Sequence, residues 1–157
     1  MSPPGAETLR AALTVARALE ALGIPYLVGG SLASSVHGIP RSTQDADLVA
    51  DLEPDRVEDL VQALEGEFYV DEERVRDAVR RRASFNVICL RTMLKVDVFV
   101  LPDDEFHRTE MSRRRRLRLG EDPESAVEVA SAEDTVIEKL TWYRLGGGVS
   151  ERQWLDV

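Results

Sequence analysis

Two aspartates spaced two apart, Asp45 and Asp47, stand at the head of an apolar run, Leu48-Val49-Ala50, and no other feature constrains the chain as much. Alternate side chains of a strand project to one face, so a strand through Asp45-Ala46-Asp47 sets both carboxylates side by side and turns Ala46 away. Carboxylates held that close resist ionising together unless positive charge lies between them. A divalent cation supplies that charge, and oxygen ligands with no neighbouring Cys or His favour magnesium or manganese. Upstream, the apolar run Ile24–Val28 ends in Gly29-Gly30-Ser31. The glycines leave backbone amides open, and Ser31 can cap a short helix whose positive end suits an anion such as a phosphate chain. A carboxylate-held cation beside a phosphate cradle points to nucleotide chemistry.

The rest of the pattern alternates helices and strands. Helices are expected over Glu7–Leu22 (stripe Leu9, Leu13, Ala16, Leu19), Ser31–His37, Pro54–Leu64, an exposed one over 71–82, Asp103–Ser112, and from Ser131 to Leu145. Strands are expected over Ile24–Val28, Asp45–Asp51, Glu67–Val70, Phe85–Arg91, Leu94–Leu101 and Val127–Val129. Thr92-Met93 joins the fourth and fifth of these as an antiparallel hairpin, and Ser131 with Asp134 makes a capping box. If the strand holding Asp47 neighbours Leu94–Leu101, Asp97 joins the other carboxylates, and Lys95 and Phe99 share its face. Gly146–Gly148 breaks the last long helix, and a further helix starts at Ser150.

Composition narrows the partners. At 157 residues, 43% hydrophobic and 31% charged, the chain makes one globular domain with a proper core. A net charge of −9 gives no general attraction for nucleic acid. The one basic run, Arg113–Arg116 with Arg118, has no interleaved aromatics, which favours an ion-paired strand over an RNA contact. Only Lys95 and Lys139 are lysines among the 20 basic residues, and both fall beside elements assigned to the site. The single cysteine, Cys89, excludes a disulfide framework and is read as a small core residue; His37 and His107 lack metal-ligand spacing. No stretch approaches the roughly 18 apolar residues of a membrane span, and no secretion signal opens the sequence, so a cytoplasmic protein with no membrane partner is expected.

The ordered set Gly29-Gly30-Ser31, then Arg41-Ser42-Thr43-Gln44-Asp45-Ala46-Asp47, then Asp97 resembles the signature of the DNA polymerase beta-like nucleotidyltransferase superfamily. Within it, the sequence is most like the small prokaryotic AbiEii/AbiGii toxin-type members, from about Tyr26 to the end. The resemblance implies an α/β (α+β) fold, a mixed sheet flanked by helices, in a single domain over 1–157 whose C-terminal helical part is truncated. It implies two magnesium ions, with manganese possible, on Asp45, Asp47 and Asp97, the last also orienting or deprotonating the acceptor hydroxyl. Gly29, Gly30 and Ser31 would cradle the phosphates, and Lys139, on the edge of the stripe Val136, Ile137, Leu140 and Tyr143, would reach the triphosphate. Arg41 and Thr43 would clamp phosphate or fix the loop. The implied reaction moves a nucleoside monophosphate from an NTP to a hydroxyl of RNA, protein or a small molecule, releasing pyrophosphate, with an antitoxin or neighbouring protein as a further partner. Two rivals remain at this point: a non-catalytic nucleotide-binding module of a toxin–antitoxin pair, and a nuclease or phosphatase built on the same acids.

Overall fold

The protein is described here by a computed structural model covering residues 6–29, 46–118 and 123–145. Helix α1 (Ala6–Ala21) leads to β1 (Tyr26–Gly29) and β2 (Ala46–Ala50). A 3-10 turn over Pro54–Arg56 runs into α2 (Val57–Leu64), followed by β3 (Phe68–Tyr69) and α3 (Glu72–Arg81). Then come β4 (Ser84–Cys89), β5 (Lys95–Val100), α4 (Glu105–Ser112), β6 (Arg115–Arg118), β7 (Ala126–Val129) and α5 (Ala132–Leu145). The strands form one mixed sheet in the order β3-β4-β5-β2-β1-β7-β6, with β2 parallel to β5 and β1 parallel to β7. This is the mixed α/β architecture that the sequence predicts.

One face of the sheet carries the main core. Val28, Ala46, Leu48, Ala50, Val87, Val96, Val98 and Val100 are buried there against α1, α2 and α3. Each of the valines and Leu48 contributes about 1.5–3 kcal/mol relative to exposure, which fixes the face that alternate residues must show to the other side. A smaller cluster of Leu27, Leu101, Met111 and Ala130 covers part of that other face, with Val49 packed against it.

Three expectations shift. The buried stripe of α1 is Thr8, Ala11, Ala12, Val15, Ala16 and Leu19, so Leu9 and Leu13 sit at its margin rather than its centre. Ala16 and Leu19 of the expected stripe are buried, and the rest of the buried face is Thr8, Ala11, Ala12 and Val15 in place of Leu9 and Leu13. Helix α3 is not simply exposed: Val75, Ala78 and Val79 are buried beneath its charged outer face. Its entry is capped by Asp71, whose carboxylate accepts from the amides of Glu73 (3.1 Å) and Arg74 (3.4 Å). The hairpin turn is longer than Thr92-Met93, because β4 already ends at Cys89, whose amide donates to Leu94 (2.8 Å). Met93, at φ 61, closes the turn in the left-handed region. Cys89 is half-buried and packs against the core's edge.

The arginine run is itself largely a strand, and it is ion-paired as its composition suggested. Arg116 contacts Glu20 (3.0 Å) and Glu128 (3.7 Å), Arg114 reaches Glu128 (4.0 Å), and Arg113 reaches Asp134 (3.7 Å). At the centre, the buried Tyr26 hydroxyl donates to Glu20 and accepts from the Glu128 amide (3.2 Å). Burial and the Glu20 carboxylate push the Tyr26 hydroxyl well above the ordinary tyrosine range. Burial alone would raise Glu20, but the hydrogen bonds from Arg116, Tyr26 and Arg17 outweigh it and hold Glu20 below the usual glutamate range. The outermost strand is thus pinned to α1 by a charged cluster. At the start of α5 the capping box forms as expected: the Ser131 hydroxyl donates to Asp134 (2.9 Å) and accepts from the Asp134 amide (3.2 Å). No helix among the described residues is long and apolar enough to cross a membrane.

Candidate active site

Strand pairing, not loop geometry, assembles the site. In the parallel pair β2–β5, Asp47 stands directly opposite Asp97. In β1–β2, Gly29 stands opposite Asp47, and in the hairpin, Asn86 stands opposite Asp97. Directly paired residues project to the same face, so Gly29, Asp47, Asp97 and Asn86 form one row across four strands, at steps of about 4.8 Å. The face is the one turned away from the main core. The flanking residues Leu48, Val96 and Val98 are buried on the opposite side, which leaves the aspartates half-buried on this one. Along β5, two positions either way, the same face carries exposed Lys95 and Phe99, the latter 40% exposed.

The sequence-predicted residues divide as follows. Asp47 and Asp97 are brought together in register, as required of carboxylates on neighbouring strands. Gly29 joins them, but as the last residue of β1 rather than as part of a turn, because the ladder with β2 continues to Asp47. Asp45, Gly30, Ser31, Arg41 and Thr43 lie outside the described residues, as do His37 and the helix expected over Ser31–His37. Lys139 falls within α5, and its side chain lies outside the described set. The apolar stripe meant to carry it is not buried as expected, since Ile137 is 46% and Leu140 40% exposed.

Gly29 shows neither a positive φ nor crowding by its neighbours. A Cβ built there would meet Leu27 Cδ1 at 3.9 Å, an ordinary contact, among the described residues. What a side chain would occupy is the space over the row, beside Asp47. Two carboxylates stand level on that face, and their hard oxygens fit magnesium or manganese better than a thiophilic metal. Among the described residues no cluster of three acidic, His or Cys side chains forms, so a third ligand would come from outside them.

Asn86 is the residue the sequence reading passed over. The signal was available, since the hairpin closure at Cys89 and Leu94 places Asn86 opposite Asp97 once the strands are counted back. It went unused because a lone Asn in FNVICLR has no motif.

Comparison with known proteins places the fold. No protein-family model matches the sequence, and no curated protein is similar to it in sequence. Solved structures do match. An antigenic nucleotidyltransferase-like protein from Paracoccidioides brasiliensis superposes with a TM-score of 0.64 at 20% identity, over 99% of this chain and 74% of that one. ANT(2'')-Ia, solved in complex with adenylyl-2''-tobramycin, gives 0.58 at 14% identity, over 88% and 78%. The lincosamide antibiotic adenylyltransferase LnuA, solved with lincomycin bound, gives 0.60 at 11% identity, over 99% and 95%. The chain therefore has the fold of nucleotidyltransferases, with its in-register aspartates on the open face of that sheet.

Proposed function

We propose that the chain is a cytoplasmic nucleotidyltransferase that moves a nucleoside monophosphate from an NTP to an acceptor hydroxyl. The observation that carries this reading is the register of Asp47 against Asp97 beside Gly29, in a fold shared with adenylyltransferases. Asp45, Asp47 and Asp97 would hold magnesium, which supplies positive charge to the triphosphate and acidifies the acceptor hydroxyl. Asp97, toward the β4 side of the row, accepts the acceptor's proton as its oxygen bonds to the α-phosphorus. The bond from that phosphorus to the bridging oxygen breaks, and pyrophosphate leaves. Gly29 keeps the floor beside Asp47 low enough for phosphate to approach, with Gly30 and Ser31 continuing the cradle. Lys139, Arg41 and Thr43 are assigned to the phosphates.

The neighbours ANT(2'')-Ia and LnuA favour a small hydroxylated acceptor, whereas the resemblance to AbiEii-type proteins favours an RNA end or a protein partner in a toxin–antitoxin pair. Incubation with each α-labelled NTP, magnesium and a cell lysate tests both points, because label lands on whichever class is the acceptor. Asp97→Asn is expected to lower pyrophosphate release roughly 10²–10⁴-fold while the melting temperature holds. Magnesium-dependent NTP binding without pyrophosphate release from any acceptor pool would instead establish a regulatory binding module.

A further inference from the structure

The outer edge of β4 is the feature that the catalytic reading does not use. Strand β3 covers only Ile88 and Cys89 of β4, through Tyr69 and Phe68. No other described strand lies along Ser84–Val87. Backbone direction along β4 follows from its bonds to β5. Ala83 accepts from the Val100 amide and Cys89 donates to Leu94, so residues 83, 85, 87 and 89 face inward to β5. Ser84 and Asn86 therefore turn both their N–H and C=O groups outward. Edges exposed to water are ordinarily protected by Lys, Pro or a bulge. This one reads Ser84-Phe85-Asn86-Val87, without a charge or a proline, and opens on a groove of about 990 Å³ beneath α3.

Helix α3 forms the far wall of that groove and carries opposite charge at its two ends, with Arg74, Arg76 and Asp77 between them; on the exposed surface Arg76 pairs with Glu72 (3.3 Å), and Arg80 and Arg81 pair with Asp77 (2.9 and 3.3 Å). Glu72 and Glu73 occupy its first turn, and Arg80 and Arg81 its last. Tight reversal at Arg82, in the left-handed region at φ 49, sends β4 back antiparallel to α3. A two-fold axis beside Phe85 would thus pair two β4 edges antiparallel and set two α3 helices head to tail. The acidic end of each would then face the basic end of the other.

We infer that this edge binds a second copy of the same chain. Ser84 of one copy pairs with Asn86 of the other, and the reverse, giving four backbone hydrogen bonds and one continuous sheet through both molecules. Self-complementarity is what an isologous contact demands, and both the outward groups and the charges of α3 meet it. The row Gly29, Asp47, Asp97, Asn86 is then extended by Ser84 of the second copy, so each molecule lines the acceptor side of its neighbour's site. The pairing itself is independent of the catalytic reading and stands or falls on solution mass; the placement of Ser84 at the neighbour's acceptor side rests on that reading.

Sedimentation velocity on the full chain at roughly 10–100 μM should give twice the 17.5 kDa chain mass. Ser84→Pro removes only an outward amide, so it should give a monomer with unchanged circular dichroism. Arg80→Glu with Arg81→Glu, and separately Glu72→Arg with Glu73→Arg, should each give monomers, because like charges then face each other. Mixed one to one, the two charge-reversed proteins should recover the dimer, since the ends of the two helices again face opposite charges. A monomeric wild type, a dimer that survives Ser84→Pro with an intact fold, or folded charge variants that stay monomeric when mixed would each overturn the proposal.

Discussion

Gly29→Ala separates stability from ligand binding at a single atom. The added methyl meets only Leu27 Cδ1 at 3.9 Å among the described residues, so it introduces no clash, and the backbone there has no positive φ to strain. Replacing a strand glycine under those conditions stabilises by about 0.5–1 kcal/mol, chiefly by restricting the unfolded chain. For a domain of this size that is a rise in melting temperature of about 1–4 °C. The same methyl stands on the row beside Asp47, about 4.5–5.5 Å from its Cβ, where the proposed phosphate chain must pass. Loss of close approach should weaken magnesium–NTP binding by roughly tenfold or more, equivalent to about 1.4 kcal/mol. Differential scanning fluorimetry and isothermal titration on the same preparation read both quantities. A variant that melts higher but binds NTP as tightly as the parent refutes the assignment of Gly29 to the phosphates. One that melts lower refutes the packing argument.

Other outcomes follow from the charged cluster and the helix cap. Tyr26→Phe leaves Glu20 without its phenolic donor and the Glu128 amide without an acceptor, and should cost about 1.5–3 kcal/mol in urea unfolding. Because Glu20 is held below its ordinary value, its contribution is complete above the unfolded pKa of about 4.3 and is lost as pH falls through the lower folded value. Acid titration of stability should therefore steepen below about pH 4.5, and less so in Tyr26→Phe. Ser131→Ala removes the cap of α5 and should cost about 0.5–2 kcal/mol by the same denaturation assay. Arg116→Ala should lower stability without changing affinity for a single-stranded RNA oligonucleotide in filter binding, since its guanidinium is committed to Glu20 and Glu128.

Legibility in the sequence was uneven, and the reasons are physical. Strand periodicity assigned Val96, Val98 and Val100 to the core and Lys95, Asp97 and Phe99 to the opposite face, because alternation is a local property of the chain. The helices over Val57–Leu64 and Ala132–Leu145 were likewise legible, from an apolar spacing in one and a capping box in the other. The arginine run was legible as an ion-paired strand, from the excess of acids and the lack of interleaved aromatics, and Arg115–Arg118 is that strand. What local pattern could not supply was adjacency. Asp47 and Asp97 are fifty positions apart, and only the parallel pairing of β2 with β5 sets them level; a slip of one residue would turn one carboxylate into the core. Position within the sheet also promoted Gly29 from turn to strand, brought Asn86 into the row, and turned Ala11, Ala12 and Val15 of α1 inward in place of Leu9 and Leu13. Those outcomes depend on which elements meet, and only the assembled sheet decides that.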